Sequence, residues 1–495
     1  MSHARAAHLL AWNGPLVTGV GLALALTGGL LLAQLPPATA AVLVGLTGLA
    51  VGTLAEPLIG LIGGLFLGLL RAYLQAEVPQ VPAQIGHLFV ALALAAHLAR
   101  GLVRRDLRLL HPPLLLPLVG FLGAAWLSLW DPVDLTVYGL PEFVKWIEVL
   151  LVFLIVAGRA RSRHLPWLVA AVLAVGAFQA GVGLYQFGLR GEGPEHFLVP
   201  GTEFYRAYGT FEQPNPYGGY IGMTLALAVG VIAEKGRHGD TEAGGPVLSP
   251  RLRVPFLLLI LSAILVLGAA LAASWSRGAW IGFGAALTAM AVALPRRSRR
   301  GVLLVGFLAT LALALHASGL LPSAVLSRLT DFAAGLRLED VRGVGISDAN
   351  YAVIERLAHW QAALEMWRYH FWTGVGLGGY EPAYPRFALI NWPFGLGHAH
   401  NIYLNLLAET GLIGLAAYLL FWGDVFRQTW RATRRTARLG RGLAIGLLGA
   451  WTHLAVHNLF DNLYVNNAHL LIGLLLGLLP IVLRPKPAVT LSSIQ

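Results

Sequence analysis

Apolar segments long enough to cross a lipid bilayer recur along nearly the whole chain. A spanning helix needs about 20 mostly apolar residues, and only helices or closed barrels satisfy their backbone hydrogen bonds in lipid. The pattern predicts an all-α integral membrane protein, a polytopic bundle of 12–14 transmembrane helices. The candidate spans, several of them short and glycine-rich, are 15–35, 38–54, 57–74, 84–102, 113–130, 142–159, 165–187, 215–233, 254–273, 279–295, 301–320, 402–423, 441–459 and 465–483.

The composition excludes a water-soluble fold. Hydrophobic residues make up 57% of the chain and charged residues 12%, whereas soluble domains carry about 25% charged residues. The net charge of +11 lies in short loops between apolar runs, so no nucleic-acid partner is predicted. The absence of cysteine excludes disulfides, thiolate catalysis and zinc–thiolate sites. We interpret the first apolar run as a retained helix rather than a signal peptide.

The distribution of basic residues predicts the orientation of the chain. With the N-terminus in the cytoplasm, most arginines fall in loops on the inner side, as the positive-inside rule requires. The same distribution predicts that two long loops, 188–214 and 321–401, lie on the outer side of the membrane. We divide the chain into N-terminal transmembrane helices (1–200), a core (201–484) that includes loop 321–401, and a cytoplasmic tail (485–495).

Two polar segments at the predicted outer face contain arginine. The segment RAYGTFEQPNPYGGY begins at Arg206 and leads into a span. Asn215 within it suits a helix cap, which we favour on this segment alone, although Arg206 could meet an anion. The segment SWSRGAWIGF places Arg277 among small polar residues. A planar guanidinium suits bidentate phosphate binding, but snorkelling to the interface is an equal alternative.

Loop 321–401 carries the third segment. The stretch YAVIERLAHWQAALEMW is predicted to be helical, with Arg356, Trp360 and Ala363 on one face. An amphipathic helix lying on the membrane is the simpler interpretation. The glycine-rich run that follows would let the backbone approach a ligand closely. It lacks the strand context of a nucleotide-binding fingerprint.

The fourth segment contains histidine near a helix start. His398, His400 and Asn401 precede the span 402–423, and Glu409 lies about two turns further in. Imidazole titrates near neutrality and can act as a general base.

Further along, His453, His457 and Asp461 have i, i+4, i+8 spacing. A metal is conceivable there, but we expect Asp461 to orient a histidine or to hydrogen-bond across helices. No metal or cofactor is predicted.

Together these side chains suit one reaction. Arginines bind a diphosphate, a histidine deprotonates a hydroxyl, and aromatics stack on sugar rings. The set fits attack of an acceptor hydroxyl on a sugar–diphosphate carbon, with arginines stabilising the leaving group.

At these residues the sequence resembles the O-antigen ligase/O-antigen polymerase superfamily of bacterial membrane glycosyltransferases. The matching elements are His400-Asn401 followed after nine residues by GLIG, the segment SRGAW, the segment RAYGTFEQPNPYGGY, and Arg356 with the glycine-rich run. The resemblance covers about 206–461. It implies a GT-C-like fold with a periplasmic loop capping the active site, and no cofactor. Fourteen spans exceed the twelve typical of the ligases.

The resemblance also implies the reaction and the site residues. A glycan would move from undecaprenyl diphosphate to a glycan or lipid acceptor, as in lipopolysaccharide biosynthesis, with inversion and without metal. His400 would be the base, and Arg277 and Arg356 would contact the diphosphate, with Arg206 as a further candidate. The supporting candidates are Asn215, His398, Asn401, Glu409, His457 and Asp461.

Three alternatives stay open. A polymerase or a protein O-oligosaccharyltransferase would share the donor site and differ in the acceptor. A transporter would need charged residues lining a path near mid-span. The interior of the spans holds few, namely Lys145, Glu148 and Glu409, which disfavours transport.

Overall fold

The computed structural model describes residues 26–27, 29–30, 33–78, 81–105, 111–199, 201–233, 250–319, 340–347, 350–436 and 438–484. Nearly all of the regular structure in these ranges is helical, with one isolated antiparallel bridge between Leu198 and Tyr205. A π-helical turn spans Leu135–Gly139, and short 3-10 helices span Ser162–His164, Glu195–Phe197 and Tyr384–Arg386. The α-helices are α1 (Pro37–Ala55), α2 (Pro57–Leu69), α3 (Arg71–Glu77), α4 (Ile85–Val103), α5 (Leu115–Ser128), α6 (Leu140–Arg159), α7 (Leu165–Gly188), α8 (Pro214–Ala233), α9 (Pro250–Ala273), α10 (Arg277–Ala293), α11 (Ser298–Ala317), α12 (Tyr351–Tyr369), α13 (Tyr380–Ala383), α14 (Ile402–Arg435), α15 (Arg438–His457) and α16 (His469–Leu483).

The polytopic helical bundle predicted from the sequence is confirmed. Each predicted span from 38–54 onward coincides with a helix, while 15–35 lies almost entirely outside the described residues. In the described part of the chain, seven helices are long and apolar enough to cross a membrane, or eight if α2 and α3, bent by 66°, form one broken span. This number is below twelve because α5, α10, α16 and the described apolar part of α9 are shorter, and because α6 carries several charged residues.

The core of the bundle is formed by α8, α15 and α16. Every residue of α16 from His469 to Val482 is buried. Helix α16 packs along α6, and α15 packs between α8 and α10. By contrast, α1 and α11 are almost entirely exposed apolar helices, as expected of helices whose outer faces meet lipid.

Glycines allow the core helices to approach closely. A Cβ added to Gly230 of α8 would lie 2.2 Å from the backbone nitrogen of Gly446 in α15. The two backbones are therefore in direct contact at this crossing. Small residues serve this purpose in membrane bundles, where helix association depends on van der Waals packing rather than on the hydrophobic effect.

At one end of the bundle, arginines bind the carbonyls left free at helix C-termini. Arg441, fully buried, donates to the carbonyls of Ala293 (3.1 Å) and Leu294 (2.7 Å) at the end of α10. Arg484 donates to the carbonyls of Ala157 and Ala160 at the end of α6. Cations are favourable beside helix C-termini, and these contacts define what we term the basic end of the bundle.

Helix α14 is broken inside the bundle. Gly411 has φ 62° and ψ −164°, which is accessible to glycine but costly for other residues. The break releases backbone donors, and the loop before α13 accepts them: Leu412 N donates to the carbonyl of Phe371 (3.0 Å) and Ile413 N to that of Trp372 (3.3 Å). In the other direction, Val375 N of the loop donates a hydrogen bond to the carbonyl of Ala408 (2.9 Å). The glycine-rich loop is thus inserted into the helix break.

Candidate functional site

The site lies at the end of the bundle opposite to the basic end, where α14 begins. Asn401 caps this helix: its Oδ1 accepts hydrogen bonds from Tyr403 N (3.0 Å) and Leu404 N (3.1 Å). The preceding residue, His400, has φ 51°, a left-handed conformation that is uncommon for a residue with a side chain. Strained backbone of this kind clusters at functional sites. The cap therefore fixes the backbone from which the His400 imidazole projects.

The end of α15 is bound directly to the start of α14. Ile402 N donates to the carbonyl of Asn458 at 3.0 Å, and the chain after α15 turns back so that Asp461 faces the two histidines. Asp461 Oδ1 lies 3.7 Å from His398 Nε2 and 3.9 Å from His400 Nδ1. The rings of His398 and His400 are 4.4 Å apart. Three of the predicted site residues thus meet in one cluster.

Burial and charge govern protonation in this cluster. Burial would raise the pKa of Asp461, but the neighbouring imidazoles outweigh it and hold the pKa of this carboxyl well below its usual range. Burial, reinforced by the nearby His400, lowers the pKa of His398 to about 3. Asp461 is therefore an anion and His398 a neutral imidazole at physiological pH. The cluster carries a fixed negative charge beside the His400 ring.

The ring of His400 makes no hydrogen bond within the described residues. Both of its ring nitrogens are buried. Buried polar atoms without partners are rare and call for an explanation. A role of a ring nitrogen in accepting a proton from substrate would explain this absence of partners.

A histidine that the sequence analysis missed lies behind His400. His359 of α12 is 1% exposed, and its ring centroid is 5.5 Å from that of His400. Its Nδ1 is 2.9 Å from the hydroxyl of Tyr380, and its ring stacks on Tyr384 at 4.8 Å. Burial, with the nearby His400 and Arg356, lowers its pKa to about 4. Its i, i+3 spacing from Arg356 was the available signal.

Arg356 joins the cluster from α12. Its Nε donates to the carbonyl of Phe460 (3.4 Å), next to Asp461, and its Nη1 donates to the carbonyl of Ala352 (2.8 Å). Its positive charge contributes to the lowered pKa of His398. The interpretation of α12 as a helix lying freely on the membrane is therefore incomplete, because this helix packs against α14.

The start of α10 lies against the end of α15 and the segment that follows it. Arg277 is the first residue of α10, after the capping residue Ser276. A Cβ on the neighbouring Gly278 would lie 3.0 Å from His457 Nε2 and 3.6 Å from the side chain of Phe460. The backbone at Arg277 is thus adjacent to His457.

The predicted i, i+4, i+8 series of His453, His457 and Asp461 is wrong in its last member. Helix α15 ends at His457, and the chain turns before Asp461. The side chains that come together for a possible metal are therefore Asp461, His398 and His400, and His453 is packed against Gly222 of α8 instead.

Arg206 and Asn215 form a pair beside the start of α10. Arg206 Nη2 donates to Asn215 Oδ1 (2.9 Å), and its Nε donates to the carbonyl of Ser274 (3.1 Å). The expected capping role of Asn215 is thus replaced by an arginine contact, since its Oδ1 faces the guanidinium. Ser274 is three residues from Arg277, so both arginines lie near one loop.

Glu409 is not part of the cluster. Its carboxylate accepts a hydrogen bond from Tyr380 N at 3.3 Å and is 4% exposed. It therefore holds the end of the glycine-rich loop against α14. Its role in the structure is to anchor this loop, about two turns from His400 along the helix.

A divalent metal ion is chemically compatible with His398, His400 and Asp461. One ligand atom from each lies within 4.8 Å of the others. The positive charge of Arg356 acts on His398 of this set, and a nearby positive charge opposes the binding of a dication. The arrangement suits a base and an anion-binding group better than a metal.

The comparisons with known proteins agree with this geometry. Residues 261–419 match the family model described as O-antigen ligase. The match runs from α9 through the first half of α14 and includes Arg277, Arg356 and His400. No curated protein matches the chain. The chain has the fold of a multi-pass helical membrane protein, and its segment 261–419 is similar to the O-antigen ligase family, a family of glycosyltransferase-like enzymes.

Proposed function

We propose that the protein transfers a glycan from undecaprenyl diphosphate to a hydroxyl acceptor on the periplasmic face of the inner membrane. The donor would be the lipid-linked glycan, the acceptor a lipid A–core or another glycan, and the surrounding lipid the third partner. The observation that carries the proposal is the partly buried His400 imidazole, which lies beside the Asp461 carboxylate and whose two buried ring nitrogens have no hydrogen-bond partner within the described residues.

The residues suggest the roles of base and anion site. Asp461 faces Nδ1 of His400, which favours the proton on Nδ1 and leaves the Nε2 lone pair to accept the acceptor's hydroxyl proton. The acceptor oxygen then bonds to the anomeric carbon from the face opposite to the diphosphate. The carbon–oxygen bond to the diphosphate breaks, and the diphosphate-lipid leaves with the electron pair. Asp461 stabilises the imidazolium, as a carboxylate does in hydrolase triads.

Arginines would stabilise the leaving group. Arg356 is joined to the cluster through Phe460, and Arg277 begins α10 beside His457. Arg206 is bound to the loop that precedes α10. Guanidinium groups bind phosphate oxygens bidentately, and such groups act where charge develops in the transition state. No nucleotide is required, because the lipid carrier is the activated donor.

The proposal includes inversion and independence from metal, and purified protein tests each part. The protein in detergent is given a lipid-linked oligosaccharide with lipid A–core, with a second lipid-linked chain, or with an acceptor protein. Transfer to lipid A–core identifies a ligase, chain extension a polymerase, and glycoprotein an O-oligosaccharyltransferase. Full activity after chelation and an inverted anomeric configuration in the product are expected.

Two outcomes would contradict this function. If the His400→Ala variant transfers glycan as fast as the wild-type protein, the imidazole is not the base. If no acceptor is glycosylated while labelled lipid-linked glycan crosses proteoliposome membranes, the transporter alternative gains support. The exposed His370, replaced by alanine, is the matched control for the His400 variant.

A further inference from the structure

A second cluster of metal-ligating side chains lies away from His400. His87 near the start of α4, Glu148 in α6 and His469 at the start of α16 converge on one point. His87 Nδ1 is 2.8 Å from each carboxylate oxygen of Glu148, and His469 Nε2 is 2.9 Å from Glu148 Oε2. The two imidazole rings are nearly parallel, 6.2 Å apart. Three helices distant in sequence thus direct nitrogen and oxygen ligands at each other.

Glu148 is a buried acidic side chain whose hydrogen-bond partners within the described residues are imidazoles. The side chain of Glu148 is 8% exposed, and a buried carboxylate is costly unless a cation offsets it. Lys145, one turn earlier on α6, forms an ion pair with Glu142 and donates to the carbonyl of Tyr464 at 2.9 Å. This lysine therefore makes its interactions away from the Glu148 carboxylate. A bound dication would offset the negative charge of the buried carboxylate.

The ligand set selects a class of metal. From the structure we infer that His87, Glu148 and His469 bind a divalent transition-metal ion of the zinc type. Two imidazole nitrogens and one carboxylate suit Zn²⁺, whereas Mg²⁺ and Ca²⁺ prefer oxygen ligands alone. One ligand atom from each residue lies within 4.8 Å of the others. This is compatible with metal–ligand distances of about 2.0–2.2 Å after small side-chain movements.

The surroundings favour this cluster over the one at His400. The positive charge of Arg356 acts on His398 of that other set, whereas Lys145 near Glu148 forms an ion pair with Glu142. The side chain of His87 is 33% exposed while that of His469 is 2% exposed. Three protein ligands leave a fourth coordination position.

The metal would join α4, α6 and α16 and would take no part in the proposed reaction. His469 directly follows the segment 458–468, which carries Asp461. The same segment is held by Asn467, whose Nδ2 donates to the carbonyl of Gly68 at 2.9 Å. A metal bound to His469 would fix the end of this segment to α4 and α6. This inference does not depend on glycan transfer.

Metal binding can be measured without any sugar substrate. Protein purified without a histidine tag and stripped with chelator is titrated with Co²⁺, whose visible d–d absorption reports the ligand field, and Zn²⁺ is used to displace it. We expect one ion per chain. Loss of an outer hydrogen-bonding partner alone weakens metal sites by about 10–100-fold. Loss of a ligand in His87→Gln, His469→Gln or Glu148→Gln should therefore weaken binding by at least about tenfold.

Matched variants separate this site from the other candidates. His400→Gln removes the alternative ligand set, and His196→Gln removes an exposed histidine; both should bind Co²⁺ as the wild-type protein does. The partly exposed His87 gives the variant that disturbs folding least, which gel filtration and circular dichroism verify. The inference is overturned if the wild-type protein binds no Co²⁺, or if binding survives in His87→Gln and is lost in His400→Gln.

Discussion

His400 Nδ1 and Asp461 Oδ1 lie 3.9 Å apart across the junction between α14 and the segment that follows α15. This distance is too long for a hydrogen bond but short enough for the carboxylate to stabilise a positive charge on the ring. In the proposed reaction, the carboxylate thus faces the ring on which a positive charge develops when His400 accepts the proton. Each member of the pair can be tested separately.

We expect His400→Ala to lower the rate of glycan transfer by about 10²–10⁴-fold, the usual contribution of a general base. Asp461→Asn should lower kcat with little change in KM for the donor, because the carboxylate acts on the protonated imidazole rather than on substrate. Initial rates with lipid-linked oligosaccharide measure both effects. Wild-type kcat in Asp461→Asn would contradict the proposed role of the carboxylate.

Replacement of Arg356 should affect the donor diphosphate. Arg356→Lys keeps a positive charge but loses the planar fork that binds phosphate bidentately, so we expect a lower kcat/KM for the donor and a larger loss in Arg356→Ala. The control is Arg368→Ala on the same helix, whose side chain is 67% exposed and paired with Glu365. Equal effects of the Arg356 and Arg368 variants would show that only the general charge of α12 matters.

Lowering the pH below neutrality should destabilise the folded protein. Burial lowers the pKa of His398 to about 3 and that of His359 to about 4, from an ordinary value of 6.5. Between pH 6.5 and 4 the unfolded chain therefore binds protons at these residues that the folded protein does not, so stability falls as pH falls. Asp461, with its lowered pKa, contributes in the same direction only at more acidic pH.

Thermal unfolding in detergent from pH 7 to pH 4.5 measures this effect. The wild-type Tm should fall with pH, and the fall should be shallower in His398→Gln and His359→Gln. His370→Gln, at an exposed position, should leave the slope unchanged. An identical slope in all four proteins would mean that other groups control the acid sensitivity.

Gly411→Ala should destabilise the protein strongly. An added Cβ would lie 2.3 Å from the backbone carbonyl carbon of Trp372, and alanine is strained at φ 62°. Gly423 is the matched control on the same helix, because a Cβ there meets no atom within 4 Å. We expect Gly423→Ala to be neutral or slightly stabilising, since alanine favours helix over glycine by about 1 kcal/mol. Comparable yield and Tm of the two variants would contradict this account of the break.

The helices could be predicted from the sequence, whereas their junctions could not. Apolar runs are local signals, and the predicted 402–423 and 465–483 therefore coincide with α14 and α16. The break at Gly411 could not be predicted, because Gly411, Gly414 and Gly423 look alike in an apolar run. Only the contact with Trp372, a tertiary feature, distinguishes the first.

The candidate site was predictable to the extent that its residues stand next to unusual local sequence. His400, Asn401 and Arg356 are polar residues beside apolar or glycine-rich stretches, which is why they stood out. His359 did not stand out, because its i, i+3 spacing from Arg356 is a weak signal inside a helix of mixed composition. The position of Asp461 depended on a turn after His457 that interrupts the helical periodicity, so its distance to His400 could not follow from spacing.

The insertion of the loop Phe371–Gly379 into the break of α14 limits how substrates can reach His400. Lifting the loop would strand the amides of Leu412 and Ile413 in apolar surroundings, where unpaired backbone groups cost several kcal/mol each. The glycine-rich loop is therefore expected to stay in the helix break while substrates bind. In the proposed reaction, donor and acceptor would reach His400 without displacing this loop.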